Sequence, residues 1–104
     1  MNIILLIDSI KTRPLFFLNN YSIYDFDAFI RGYGYYRFAH EIEDTEQDDY
    51  FNDFKNNWLK RKLNIERNAP YIQYLMLISD NPADALDNFF ELWALFVDEN
   101  KLRK

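Results

Sequence analysis

The chain of 104 residues has no cysteine, one histidine, two glycines and three prolines. Without cysteine there is no disulfide framework, no thiol nucleophile and no cysteine zinc site. The lone histidine, His40, leaves serine–histidine catalysis dependent on one residue and removes any multi-histidine metal site. The apolar opening, Ile3 to Ile7, falls far short of the roughly 20 residues that cross a bilayer. No basic region precedes it and no small-residue cleavage site follows, so the expectation is a cytoplasmic protein without a membrane segment. Basic residues are in the minority, 12 against 17 acidic ones, for a formal charge of −5. Phosphate contacts need clustered lysine and arginine, so direct nucleic-acid binding is not expected either.

What is present suits one core. Apolar residues make up 49% of the chain and aromatic ones 19%, enough large side chains for a single small domain spanning residues 1–104. By pattern alone Ile3 to Ile10 fits a buried strand or a helix. Helix is preferred, because Asp8-Ser9-Ile10-Lys11 continues it and Pro14 offers a stop. Thr12 to Asn20 reads as a loop, since a residue before proline is pushed away from helical geometry.

Ser22 opens a long helix with Asp25 three residues on, a start resembling a capping box. Ile23, Phe26, Ile30, Tyr33 and Arg37 share one face, with Phe29 beside them. Gly32 and Gly34 lie within this run and call for a packing or bending reason, each costing about 1 kcal/mol against alanine. Tyr24 and Tyr35 fall together opposite that face. Either the helix is packed on both sides or the tyrosines are exposed; the first is preferred.

The stretch 41–53 holds seven acidic residues and no basic one. Its first half reads as a loop and its second as the start of a third helix, where acids suit the dipole. Phe51, Phe54 and Trp58 form that helix's apolar stripe, and Lys55, Lys60, Arg61 and Lys62 follow towards its end. A fourth, nearly all apolar helix runs from Tyr71 to Ser79. Asn81-Pro82-Ala83-Asp84 then starts a fifth, with asparagine as cap, proline in the first turn and an acid at the third position. Leu86, Phe89, Phe90, Trp93, Phe96 and Val97 make its apolar stripe, opposite Asp84, Asp87, Glu91 and Asp98. The expected fold is all-α, a single compact domain of about five helices.

No catalytic signature is found. Gly32-Tyr33-Gly34 lacks the further glycine and lysine of a phosphate loop, and the acidic run lacks the alternating ligands and central glycine of a calcium loop. His40 fits a plain helix end, where the dipole favours a cation. Lys55, Lys60, Arg61 and Lys62 are too few, and too near the acids, for a nucleic-acid patch. No metal, cofactor or enzymatic activity is therefore expected. The acidic run is either a solvated face or a surface for a basic partner, since charge of one sign steers cationic proteins.

Arg13-Pro14-Leu15-Phe16-Phe17-Leu18, then Ser22-Ile23 and Phe29-Ile30-Arg31-Gly32-Tyr33, resembles a family of small bacterial immunity proteins. Phe51, Phe54 and Trp58, followed by the closing Phe89-Phe90-Glu91-Leu92, continue the likeness along most of the chain. Members of that family accompany the toxins of contact-dependent growth-inhibition and related polymorphic toxin systems. One departure is Leu15-Phe16-Phe17, where the family carries small or turn residues, which implies a differently packed loop. The resemblance implies a helical cytoplasmic inhibitor that neutralises one cognate toxin C-terminal domain, often a nuclease with a basic cleft.

The contact residues come from charge and not from the family. Glu41, Glu43, Asp44, Glu46, Asp48, Asp49 and Asp53 are expected to engage the toxin's lysines and arginines, with Tyr50 as a desolvated anchor. The stripe Asp84, Asp87, Glu91 and Asp98 is the second choice. A reading from another class is a regulatory or scaffold module that dimerises through Tyr24 and Tyr35.

Overall fold

The computed structural model describes residues 2–102. Asn2 caps the first helix, α1 (Ile3–Thr12), by accepting a hydrogen bond from the Leu5 N–H. Its apolar side chains Ile3, Ile4, Leu6, Ile7 and Ile10 are all buried, which decides for helix over strand. Arg13 stays non-helical, as the residue before a proline must. Pro14 then starts a single helical turn, α2 (Pro14–Phe17), where a loop is expected. Proline suits a first helical position because its φ is already helical and its missing N–H costs nothing there. Leu15 and Phe16 remain exposed, while Phe17 packs edge-on against Phe29 at 5.6 Å.

The long helix α3 (Ile23–Ala39) begins at Ser22, whose hydroxyl accepts from the Tyr24 N–H. The capping box does not close: the Asp25 carboxylate accepts from the Asn20 N–H, 2.9 Å away. Ile23, Phe26, Ile30 and Arg37 are buried along the expected face. The other side is open, with Tyr24 52% and Tyr35 72% exposed, so α3 is not packed on both sides.

The next helix runs unbroken through α4 (Glu46–Asp53), a π-helical turn at Phe54–Trp58, and α5 (Leu59–Lys62). In the wide turn the Leu59 N–H bonds to the Phe54 carbonyl, five residues back. A regular helix would set Leu59 about 140° round from Phe54. The extra residue returns it to the same side, and both are fully buried.

After α6 (Tyr71–Leu77) comes α7 (Pro82–Glu99), capped by the Asn81 side chain on the Asp84 N–H. Ala85, Leu86, Phe89, Phe90, Trp93 and Phe96 form its buried stripe. This stripe receives α3, α6 and the π turn, while α1 lies against α2 and α4. Phe54 meets Trp93 edge-on at 5.1 Å, and the Phe26 and Phe89 rings are 4.5 Å apart. The domain is all-α, without strands among the described residues, and has a radius of gyration of 13.4 Å. That value is what one body of this length should have.

Candidate functional site

Helix α3 ends in a Schellman arrangement that turns the chain into the acidic loop. The Ile42 N–H bonds back to the Arg37 carbonyl at 2.8 Å, and the Glu41 N–H to the Phe38 carbonyl at 3.1 Å. Glu41 pays for this turn with a left-handed backbone, φ 55°. The loop's far end is tied by a true capping box. Thr45 caps α4 through the Asp48 N–H, and the Asp48 carboxylate accepts from the Thr45 N–H at 2.8 Å.

Arg37 clamps the loop between these ends. Only 8% exposed, it donates to the Tyr33 hydroxyl at 3.1 Å and to the Glu43 carbonyl, and pairs with the Asp48 carboxylate at 3.1 Å. The Tyr33 hydrogen bond first, and then the Asp48 and Asp44 charges, hold its guanidinium above the ordinary arginine value against the opposing effect of burial. Removing one member of such a buried pair leaves the other charge uncompensated.

The eight expected contact residues therefore divide. Asp48 faces inward as the partner of Arg37 and Thr45. Asp53 accepts from the Asn57 amide at 3.0 Å, one turn along the helix. Glu46 accepts from the Tyr50 hydroxyl at 3.3 Å, and the Glu46 charge holds that phenol above its ordinary value. Tyr50 is half-buried against the core. Among the described residues Glu41, Glu43, Asp44 and Asp49 are exposed, with no side-chain hydrogen bond or ion pair. They form the available negative edge.

Charge patterning alone misses what borders that edge. Phe38 is 80% exposed and shares a groove with exposed Ile42, and exposed Tyr35 lies one turn before it on α3. The signal was available in the spacing. Asp27, Arg31, Gly34 and Phe38 follow one another at intervals of four, three and four along α3, a row beside the buried face. His40 ends the helix as expected, its ring stacked on Tyr36 at 4.1 Å and its Nδ1 2.9 Å from the Tyr36 carbonyl. On the second acidic surface, Asp87 accepts from the Tyr21 hydroxyl at 2.5 Å and Asp84 from the Asp80 N–H at 3.0 Å. Half of that stripe is thus engaged within the chain.

Among the described residues no group of three histidine, aspartate or glutamate side chains could hold a metal ion. No helix among them is long and apolar enough to cross a membrane. No family model, curated protein or solved structure matches the chain.

Proposed function

We propose that this chain is an immunity-type inhibitor that binds a basic toxin C-terminal domain, such as a nuclease, one to one and occludes it. The observation that carries the reading is exposed Phe38 and Ile42 lining one groove with the unpaired Asp44, while Glu41, Glu43 and Asp49 are exposed and unpaired along the same loop and helix start. Exposed apolar patches rimmed by charge mark binding surfaces, and aromatic residues dominate the energetic centres of interfaces. The carboxylate edge adds a field that draws in a cationic partner. The ordered likeness to immunity proteins from Arg13 to Leu92 supports the same reading. Binding of this kind needs no catalytic group, and a cytoplasmic site of action belongs to the proposal.

The test is to mix the purified chain with the purified C-terminal domain encoded by the adjacent upstream reading frame. A one-to-one complex that loses affinity from 50 to 500 mM salt, together with loss of the toxin's activity, is the expected result. No complex at low salt sinks the proposal.

The exposure of Tyr24 and Tyr35 favours a second reading, a homodimeric scaffold module. Sedimentation separates the two. A dimer that Tyr24→Ala and Tyr35→Ala dissolve, with no toxin binding, would select the module.

A further inference from the structure

Between α3 and the helix that begins with α4 lies an open groove of about 530 Å³. Its apolar lining includes Ile30, Phe38, Ile42 and Phe51. Most of its charges are already spent. Asp27 accepts from the Arg31 guanidinium at 2.9 Å and from the Tyr71 hydroxyl at 2.8 Å, and Asp48 is held by Arg37. Two remain. Asp44 has no ion-pair partner among the described residues, and neither does Lys55.

Lys55 is unusual for an ammonium group. It sits 4.6 Å from the Phe51 ring centre and 5.7 Å from that of Tyr71, and no acceptor for its N–H donors is found among the described residues. Burial lowers its pKa, with the Asp27 charge opposing. Lys55 belongs to the Asp27 end of the groove and Asp44 to the Arg37 end. Those two α3 positions are ten residues apart, about 15 Å along a helix axis. Some four to five residues of extended chain cover that length, at about 3.3 Å each.

Gly34 lies on the groove wall between those ends. A Cβ built there meets nothing within 4 Å, and the same is true of Gly32, which does not line the groove. Neither glycine is required by the packing of this chain, although each weakens the helix. At Gly34 the bare backbone leaves room for a second chain to approach closely.

We infer that this groove seats a short extended segment of the cationic partner protein, laid across Gly34. Its apolar side chains meet Phe38 and Ile42, a lysine or arginine reaches Asp44, and a carbonyl or carboxylate accepts from Lys55. The inference rests on the immunity reading for the partner's identity, but the groove's preference for a dipolar segment stands on its own geometry.

The two glycines make the test. Gly34→Ala and Gly32→Ala both fill open space, so neither lowers the Tm of the free protein. Gly34→Ala weakens binding of the adjacent-gene toxin domain tenfold or more and Gly34→Leu weakens it further, while Gly32→Ala binds as wild type. Equal binding by the Gly34 and Gly32 variants overturns the groove and leaves the immunity reading intact.

A second arm needs no toxin. Acetylated pentapeptide amides Glu-Leu-Ala-Leu-Arg and Arg-Leu-Ala-Leu-Glu, at millimolar concentration, are titrated into ¹⁵N-labelled protein, with Glu-Leu-Ala-Leu-Glu as control. The inference expects one of the dipolar peptides to shift the amides of Gly34, Phe38, Asn52 and Lys55, with the shifts lost in Gly34→Leu. No shifts, or equal shifts from the control, overturn it. If the toxin domain fails to bind wild-type protein, the immunity reading falls and this second arm alone decides the groove.

Discussion

Glu41, Asn64 and Lys101 each stand just beyond a helix C-terminus in the left-handed region, with φ of 55°, 55° and 51°. In each case the following residue, Ile42, Ile65 or Leu102, donates its N–H five residues back, to the carbonyl of Arg37, Lys60 or Val97. Glycine is the usual occupant of such a position, because a Cβ there crowds the backbone at a cost of about 1–2 kcal/mol. The chain spends its two glycines mid-helix instead, at Gly32 and Gly34. Glu41→Gly and Lys101→Gly should therefore each stabilise the fold by about 1 kcal/mol, an upward Tm shift of about 5 °C. Asn64→Gly should gain less, since asparagine tolerates the left-handed region. Calorimetry on the three variants checks this, and unchanged Tm values for Glu41→Gly and Lys101→Gly would refute it. These stops were not legible beforehand, because without glycine the signal that ends a helix is only an apolar residue two places past the last turn.

Helices in this chain are joined by side-chain hydrogen bonds that cross from element to element. Tyr71 on α6 donates to Asp27 on α3 at 2.8 Å, and Tyr21 ahead of α3 donates to Asp87 on α7 at 2.5 Å. The Trp58 indole N–H reaches Glu99 at the end of α7, 2.8 Å away. Burial first, and then the carboxylate partner, pushes both the Tyr71 and Tyr21 phenols well above the ordinary tyrosine range. In the unfolded chain a phenol ionises near pH 10. Above that pH the unfolded state binds fewer protons than the folded one, so this stability is lost as pH rises. Lys55 has the opposite sign. Its depressed pKa means the unfolded chain holds more protons in the interval below about pH 10.4, so its contribution rises there. Urea midpoints between pH 7 and 11.5 should accordingly fall steeply beyond pH 10. Tyr21→Phe/Tyr71→Phe should begin lower, each lost bond to a charged group costing about 2 kcal/mol, but decline less over the same range. Parallel curves would mean that other groups govern alkaline unfolding. The helices these bonds join were legible from apolar spacing, as in the α7 stripe from Leu86 to Phe96, which is buried as expected. The π turn was not, since Phe51, Phe54 and Trp58 fit a regular helix and only the burial of Leu59 reveals the extra residue. Nor was the exposure of Tyr24 and Tyr35, because a wheel locates two residues on one face without saying whether another element covers it.

Across the whole molecule, charge was easy to read and its availability was not. The run 41–53 stood out by composition, yet Asp48 is consumed by Arg37, and Glu46 and Asp53 accept hydrogen bonds within their own helix. Such spending depends on where a distant arginine lands, which residue order does not give. What remains is a negative edge of Glu41, Glu43, Asp44 and Asp49 beside an apolar patch centred on Phe38. In the proposed complex with a toxin domain, the two parts should act on different stages of binding. Exposed carboxylates act at long range on diffusional encounter and are screened by salt, with a Debye length near 10 Å at 0.1 M. An aromatic desolvated in the complex acts on dissociation. Glu41→Lys/Glu43→Lys/Asp49→Lys, which spares the Arg37 clamp, should slow association with the toxin domain by about tenfold or more at 50 mM salt. By 500 mM the deficit should nearly vanish, while the dissociation rate changes by less than about threefold. Phe38→Ala removes a side chain that supports little of the free fold, and should speed dissociation by about thirtyfold at every salt concentration. Surface-immobilised toxin domain and stopped-flow mixing measure both rates. A Phe38 variant that only associates more slowly, or a charge variant whose loss ignores salt, would place the contact elsewhere on the molecule.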